Sequence, residues 1–225
     1  MTAQAQKRQC LFFAPAVQKD SRFFEPFVFF VVIKKMKNNL LISALSTHSP
    51  YDDKEKIDLA AMISFLQSGQ DCFSRTNPWA HFTGSALLVN RSMDRVLLNH
   101  HKVLNYWLQF GGHADGNPDL LDVASRELQE ETGFKNFSPV TGHILDVDIH
   151  PIPYNPKRGE AAHLHYDVRY LFRLNDGNEC FEISDESIDM RWCNYDEAIV
   201  LTGPGSVARM LGKWKNLMNQ QKANA

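Results

Sequence analysis

Positions 112–134 read GHADGNPDLLDVASRELQEETGF, and this stretch decides most of what the chain can be. It begins as a turn and continues as a helix with three carboxylates near its end, on Glu127, Glu130 and Glu131. These residues stand at i, i+3 and i+4, so they share one helical face within an arc of about 100°. Three like charges this close repel one another unless a cation lies among them. Ligand sets made only of oxygen favour a hard ion, Mg²⁺ or Mn²⁺, held jointly by the protein and a phosphate substrate.

An acidic triplet can also be a solvated helix face, so the residues around it decide between the two interpretations. A Gly111-Gly112 turn precedes the helix, and Arg126 stands directly before the first glutamate. Gly133 follows the last glutamates, where a glycine commonly ends a helix. This context favours a metal site.

The order and spacing resemble the signature of the Nudix hydrolase family. That signature is Gly, five residues, Glu, seven residues, Arg-Glu-apolar-any-Glu-Glu-any-Gly-apolar. The matching positions are Gly112, Arg126, Glu127, Leu128, Glu130, Glu131, Gly133 and Phe134. The one departure is Pro118, where the family usually has a glutamate that pairs with the arginine.

Pro118 cannot form this ion pair, but it suits the first turn of a helix. We expect Asn117 to be the N-cap and Asp119 to lie next to the positive helix end. Asp122 stands four residues before Arg126 and is the expected substitute partner. The departure therefore leaves the carboxylates that would bind metal untouched.

The composition narrows the class of protein. The chain has 225 residues, with 24 basic and 26 acidic side chains and a formal net charge of −2, which argues against nucleic-acid binding through a basic surface. The four cysteines are scattered without a C-x-x-C pair, which predicts a reducing, cytoplasmic location rather than a disulfide scaffold. They are Cys10, Cys72, Cys180 and Cys193.

The N-terminal segment is apolar and aromatic from Phe23 to Ile33, but it is interrupted by Glu25 and Pro26. The run is too short to span a membrane, and it lacks the layout of a secretory signal. From Met36 the sequence is that of an ordinary globular protein. We expect residues 1–35 to be a poorly ordered extension or an upstream mis-start, residues 36–78 to be a helical segment, and residues 79–225 to be the hydrolase domain.

The order of predicted elements indicates an α/β protein. Helical periodicity covers residues 54–68. Strands are expected at residues 81–89, 95–98, 106–110, 142–150, 164–174 and 190–193, and helices from about residue 196 and over residues 206–219. Mixed strands and helices suggest an α/β sandwich. The family resemblance implies the same fold, a Nudix-like α/β/α sandwich with a mixed sheet.

The segment from His163 to Arg173 alternates between apolar and polar residues. Leu164, Tyr166, Val168, Tyr170 and Phe172 are expected to face a core, and His163, His165, Asp167, Arg169 and Arg173 the opposite side. That polar face either meets solvent or lines the substrate cleft, where Arg169 would bind a phosphate. Because their rings share a face, His163 and His165 are also candidates for a second, transition-metal site.

The resemblance implies which residues perform the chemistry. Glu127 and Glu131, assisted by Glu130 and the Gly112 carbonyl, would hold Mg²⁺ or Mn²⁺. Arg126 would orient the helix carboxylates. A carboxylate, either Glu130 or Glu186 from a late loop, would take the proton from water.

Other candidates for substrate binding rest on position alone. Gly111, Gly112 and His113 lie in the turn that a phosphate would approach. Trp107 is a candidate for stacking on a base, although such a residue is more often part of a core.

The expected activity is Mg²⁺-dependent hydrolysis of the diphosphate linkage in a nucleoside diphosphate joined to another group. The alternative is a non-catalytic Nudix-like module that binds a nucleotide and regulates another process. An isomerase of prenyl diphosphates shares the fold, but Cys180 and Cys193 lack a supporting motif. The expected partner is a small-molecule nucleotide or other diphosphate, and neither a nucleic acid nor a membrane is expected. The identity of the substrate stays open, as does the oligomeric state, for which a homodimer is possible.

Overall fold

The computed structural model of the protein describes residues 24–156 and 159–223. The chain divides into two compact units, Met1–Lys35 and Met36–Ala225, and the second contains the fold and the site. Residues 1–23 lie outside the described residues, so the expectation of a poorly ordered extension or mis-start over residues 1–35 stays a prediction. Helix α1 covers Phe24–Thr47 and helix α2 covers Asp53–Gln67.

Eight strands and three further helices follow. The strands are β1 (Ala80–Val89), β2 (Val96–His101), β3 (Trp107–Leu108), β4 (Phe110–His113), β5 (Phe137–Pro139), β6 (Asp146–Ile152), β7 (His163–Leu174) and β8 (Ser187–Cys193). The helices are α3 (Leu120–Thr132), α4 (Tyr195–Thr202) and α5 (Ser206–Ala223). The prediction missed the short strand β5 and placed the start of β6 too early.

All eight strands belong to one mixed sheet. Its main path is β3-β2-β1-β7-β5, with β4 also paired to β1, β6 to β7 and β8 to β2. The central pair β1 and β7 is parallel over ten residues, from Ala80 opposite Leu164 to Val89 opposite Arg173. The remaining pairs are antiparallel, for example β6 with β7.

Helices cover both faces of the sheet, as an α/β/α sandwich requires. Successive residues of β1 point to opposite faces, so Phe82 and Leu88 pack in one core and Leu87 and Val89 in the other. The first core includes side chains of α2 and α3, and the second includes side chains of α4 and α5. The predicted fold class is confirmed.

Strand β7 follows the predicted alternation with one exception. Tyr166, Val168, Tyr170 and Phe172 pack in or against the first core, as expected. Leu164 does not, because it lies near the start of the strand and is 38% exposed. On the opposite face His165 and Asp167 reach the site, whereas His163 and Arg169 are buried and Arg173 is exposed.

Candidate active site

Helix α3 is held at both ends by local hydrogen bonds. The Asp119 side chain caps its start by accepting the Asp122 N–H at 3.3 Å, so the expectation that Asn117 is the N-cap is wrong. At the other end Gly133 has φ 75°, a left-handed conformation that glycine adopts without strain, and donates its N–H to the Gln129 carbonyl. These caps fix where the glutamates of the last turns lie.

Arg126 is oriented by groups other than the predicted one. Its guanidinium pairs with Glu127 at 2.9 Å and donates to the His113 carbonyl at 3.2 Å. The Asp122 carboxylate instead accepts from the Asn117 side-chain amide at 2.9 Å, so the prediction of Asp122 as its partner is wrong. Arg126 thereby joins the helix to strand β4.

The two glycines of β4 allow a close approach of two neighbours, the Glu127 carboxyl group of α3 and strand β1. A Cβ at Gly112 would overlap the Glu127 carboxyl group. A Cβ at Gly111, where φ is 158°, would overlap the Ser85 side chain and lie 2.9 Å from the Gly84 carbonyl oxygen. Side chains at these positions would displace the site, so the glycine pair is a steric requirement of this packing.

The three glutamates differ in burial. Glu130 is exposed and Glu127 is half-buried, whereas Glu131 is only 8% exposed. One Glu131 oxygen accepts the Gly111 N–H at 2.9 Å and the other accepts from the Asn99 amide at 3.1 Å. Asn99 on β2 is thus a positioning residue that the sequence pattern does not show.

Burial and mutual repulsion raise the pKa of two of these carboxyl groups. Burial, followed by the charges of Glu127 and Glu186, raises the pKa of Glu131 to about 8, against the lowering effect of the Gly111 and Asn99 hydrogen bonds. Burial also raises the pKa of Glu127, with Arg126 opposing the shift. A cation among these carboxylates would offset both the cost of burying their charges and their mutual repulsion.

A cavity of about 420 Å³ joins most of the predicted site residues. Those that line it are Gly111, Gly112, His113, Arg126, Glu127, Glu130, Glu131 and Glu186. Glu186 comes from the loop before β8, far from the helix in sequence. The cavity therefore brings the four predicted glutamates, Arg126 and the glycine pair of β4 to a single ligand space.

The NUDIX domain family model matches residues 80–211, which is the part of the chain that contains most of the cavity wall and all of its glutamates. The chain belongs to the Nudix family. A relative from Lactococcus lactis subsp. cremoris, strain MG1363, is named "Probable DHNTP pyrophosphohydrolase". It is 32% identical over 140 residues, covering 62% of this chain and 81% of the relative. The protein is a Nudix-type hydrolase.

The solved structures that resemble this one do so only distantly. A C. elegans Ap4A hydrolase in a binary complex has a TM-score of 0.45 and 17% identity, covering 61% of this chain and 98% of that one. The E. coli dihydroneopterin triphosphate pyrophosphohydrolase has a TM-score of 0.44 and 14% identity, covering 59% and 92%. Within the described part of this Nudix chain, none of the helices has the length and apolar character needed to cross a membrane.

Two predicted substrate-binding residues do not line the cavity. The first, Arg169, is 2% exposed and enclosed by carboxylates. It pairs with Asp167 at 2.7 Å, Asp146 at 3.1 Å and Asp148 at 3.2 Å. Because its donors are engaged inside the protein, this guanidinium contributes to the buried ion-pair network and is not open to a phosphate.

The second is Trp107, on the short strand β3. Its ring stacks on His100 with centroids 4.9 Å apart, and the Arg191 guanidinium lies 5.4 Å from the ring centroid. The half-buried indole also packs against the second core. These contacts belong to the sheet edge rather than to the cavity.

The sequence reasoning missed a set of polar residues on the cavity wall. One oxygen of Asp167 accepts from Thr83 at 2.9 Å and from Ser85 at 2.7 Å, and the other accepts from Gln109 at 3.3 Å and from Arg169. The alternation of β1 places Thr83 and Ser85 on one face, but only the pairing of β1 with β7 shows what they contact.

Arg75 is a further missed residue. It lies in the segment before β1, lines the cavity, and forms two hydrogen bonds with Asp115, at 2.6 and 2.5 Å. The guanidinium is held in place while half of the side chain stays exposed. Together with Arg126 it gives the cavity two positive groups that can face an anion.

Histidines also line the cavity, among them His113 and His165. His163 and His165 do share a face, and their Nε2 atoms are 3.1 Å apart. Burial lowers the pKa of His165 to about 2, and burial together with Arg75 lowers the pKa of His113 to about 4. The imidazoles of His165 and His113 are therefore neutral at physiological pH.

Proposed function

We propose that this chain hydrolyses a diphosphate linkage in a nucleotide-like substrate with the help of a divalent cation, Mg²⁺ or Mn²⁺. The observation that carries the proposal is the convergence of Glu127, Glu130 and Glu131 on one cavity beside the Gly111-Gly112 strand. Keeping negative charge in this arrangement is costly, since Glu131 is buried with a pKa of about 8. A bound divalent cation would compensate these negative charges, so the arrangement suits a metal-dependent hydrolase.

The donor set fits a hard cation. Glu127, Glu130 and Glu131 supply carboxylate oxygens, and the family resemblance adds the Gly112 carbonyl. Such oxygen ligands suit Mg²⁺ or Mn²⁺, which keep open positions for water and phosphate. When bound, the cation would neutralise the bridging phosphates and make a water molecule more acidic.

The chain's own residues would supply positioning and proton transfer. Arg126 holds the Glu127 carboxylate and the His113 carbonyl together, which fixes the helix against β4. Asn99 and the Gly111 N–H hold Glu131 in one orientation. We assign the general base to Glu186 or Glu130, because both carboxylates line the cavity and are exposed enough to reach a water molecule.

The cavity also offers groups for the rest of the substrate. Arg75 and Arg126 are cations that would face a phosphate, and the strand segment Gly111-Gly112-His113 would lie along it. Leu104, Leu108 and Ile152 supply apolar surface for a planar ring system. This mixture favours a small molecule with a polyphosphate and an aromatic ring system over a bare pyrophosphate.

The relative from Lactococcus suggests the first substrate to test. Its name gives DHNTP as the substrate of a pyrophosphohydrolase, and the match covers 81% of that protein. We extend the suggestion to this chain as one member of the proposed class, beside nucleoside triphosphates and nucleoside diphosphates linked to another group. The net charge of −2 argues against a basic surface, so we propose small-molecule rather than nucleic-acid substrates. The scattered cysteines are the basis on which we propose a cytoplasmic location.

A substrate panel tests the proposal. Purified full-length protein is incubated with dihydroneopterin triphosphate, nucleoside triphosphates, sugar nucleotides and dinucleotides, with Mg²⁺ or with a chelator, and released phosphate and pyrophosphate are measured. We expect cation-dependent release from at least one member, and release that is slower on the order of 10²–10³-fold in Glu131→Gln. Tight binding without turnover of every member would instead favour the alternative, a non-catalytic nucleotide-binding module.

A further inference from the structure

Four histidines from three adjacent strands converge at one end of the cavity. They are His81 on β1, His113 on β4, and His163 and His165 on β7. Each offers one ring nitrogen, and these nitrogens all lie within 4.8 Å of one another. The strand pairing produces the cluster, because His81 is opposite His165 and Thr83, two residues along, is opposite His113.

Ring nitrogens of two of the four histidines, His81 and His113, lack hydrogen-bond partners. His81 is 1% exposed, and neither of its ring nitrogens makes a hydrogen bond. The Asn77 backbone approaches that ring without reaching hydrogen-bond geometry. The Nε2 atom of His113 is likewise buried and without a partner. Buried polar groups in native proteins nearly always have a hydrogen-bond partner, so the unpartnered ring nitrogens of His81 and His113 point to a ligand.

We propose that His81, His113, His163 and His165 bind one transition-metal cation, with Zn²⁺ as the expected occupant. Imidazole nitrogen is a good ligand for Zn²⁺ and a poor one for Mg²⁺, which prefers oxygen. This site is therefore chemically distinct from the glutamate site of α3. It goes beyond the proposed function and does not depend on the identity of the substrate.

The distances are compatible with tetrahedral coordination. Zn–N bonds are about 2.0–2.1 Å, so ligand nitrogens of a tetrahedral site lie about 3.3 Å apart. The Nε2 atoms of His163 and His165 are 3.1 Å apart, and the widest separation in the cluster is within 4.8 Å. Small side-chain rotations would bring the remaining nitrogens to the coordination distance.

Neighbouring groups orient the His163 ring and set the local charge of the cluster. The Nδ1 atom of His163 donates to the Ala161 carbonyl at 2.8 Å, which leaves its Nε2 lone pair directed into the cluster. A Glu160 oxygen lies 4.0 Å from the same ring and adds a negative charge, while Arg75 and Asp115 form an ion pair with each other. The nearby charges thus favour a cation overall.

Four protein ligands leave no open position, so we assign this cation a structural role. It would tie β4 to β1 and β7 directly beside Gly112 and the His113 carbonyl that holds Arg126. The histidine site would therefore stabilise the domain and fix the strand that faces the catalytic glutamates.

Metal analysis of the whole protein tests the proposal. Tag-free full-length protein is loaded with Zn²⁺, dialysed against buffer containing Mg²⁺, and measured by elemental mass spectrometry. We expect about one retained Zn²⁺ per chain, a lower melting temperature after chelation, and visible d–d absorption typical of tetrahedral Co²⁺ after Co²⁺ substitution.

Substitutions locate the bound ion. His165→Gln and His163→Gln should each abolish retention, whereas His143→Gln, at an exposed histidine outside the cluster, should keep it. Glu127→Gln separates the two sites, since it should retain Zn²⁺. Loss of Zn²⁺ in Glu127→Gln, or an absence of both retained metal and the Co²⁺ spectrum in the wild-type protein, would overturn the proposal. The wild-type measurements decide the question even if a histidine variant fails to fold.

Discussion

The Glu131 carboxylate accepts the backbone N–H of Gly111 at 2.9 Å, and this bond joins the end of helix α3 to strand β4. The two residues are 20 positions apart, yet their contact places the most buried of the three helix glutamates beside the glycine pair, which was expected in a turn from the sequence and which the structure places on β4. The Asn99 side chain fixes the second oxygen, so the carboxylate has a single orientation toward the cavity.

Replacing Glu131 by Gln tests this position. Gln keeps the shape but removes the negative charge, so turnover should fall on the order of 10²–10³-fold, as for other electrostatic groups of the transition state. The melting temperature should stay near the wild-type value, because a neutral side chain costs less to bury. Steady-state kinetics and thermal unfolding measure both. Glu182→Gln, an exposed carboxylate outside the cavity, is the control; near-normal turnover in Glu131→Gln would contradict the assignment.

A methyl group at Gly112 should disturb the site more than the fold. The Cβ added by Gly112→Ala would overlap the Glu127 carboxyl group, which is the mobile end of a side chain and can move aside. We expect turnover to drop by about 100-fold, because a displacement near 1 Å at a catalytic group has that effect. Gly142→Ala is the matched control, since no atom lies within 4 Å of its Cβ position. Equal turnover in the two variants would refute the steric argument.

The features that were predicted correctly from the sequence follow from residue spacing within a single helix or strand. The spacing of Glu127, Glu130 and Glu131 fixes their common face within one helix, and alternation fixes the two faces of β1 and β7. Such features depend only on residues close in the chain. The structure therefore agrees with the sequence on the course of α3 and on the central strands.

The partners of Arg169 and His81 depend on contacts between distant segments. The guanidinium of Arg169 reaches Asp146 on β6, and His81 lies opposite His165 because β1 pairs in parallel with β7. No local pattern gives the register of strands that are far apart in the chain. For this reason the sequence offered Arg169 as a phosphate ligand and assigned only two of the four clustered histidines, His163 and His165, to a candidate metal site.

Cation binding should depend on pH. The pKa of Glu131 is about 8 in the metal-free protein, so at neutral pH a cation must displace a proton from it. The apparent affinity for Mg²⁺ should therefore rise with pH until about pH 8 and then level off. Calorimetry at about pH 7 in buffers of different ionisation enthalpy should show proton release that is absent in Glu131→Gln. A constant affinity between about pH 6 and pH 8 would show that this carboxyl group does not bind the cation.

Removing Arg169 should destabilise the fold. Its guanidinium is 2% exposed and pairs with Asp146, Asp148 and Asp167. Arg169→Met removes a buried cation from all three; Asp146 keeps its ion pairs with Arg209 and Lys213, but the described partners left to Asp167 are the neutral groups of Thr83, Ser85 and Gln109. We expect a loss of about 3–5 kcal/mol in the free energy of unfolding, measured by urea denaturation. Arg173→Met, on the same strand but exposed, should change it by about 0.5 kcal/mol or less. Similar values for the two variants would show that the aspartates find other compensation.

Glu55 should contribute to stability in a manner that depends on pH. This carboxylate of α2 is fully buried, accepts the Val147 N–H of β6 at 3.2 Å, and pairs with His48 and Lys213. Burial alone would raise the pKa of Glu55, but the hydrogen bonds from His48, Lys213 and the Tyr51 N–H outweigh it and hold the pKa well below its usual value.

A lowered pKa in the folded state gives the sign of the effect. The stabilisation by Glu55 is fully present above about pH 4.5, and it is lost as pH falls toward the lower pKa of the folded state, because the unfolded chain binds the proton first. Glu55→Gln should cost about 3 kcal/mol at pH 7, and the difference from wild type should shrink steadily below pH 4.5. Asp53→Asn, at an exposed position of the same helix, should show no such trend. Urea denaturation from about pH 7 to pH 3 measures both, and a constant difference for Glu55→Gln would mean that its charge does not stabilise the contact between α2 and the sheet.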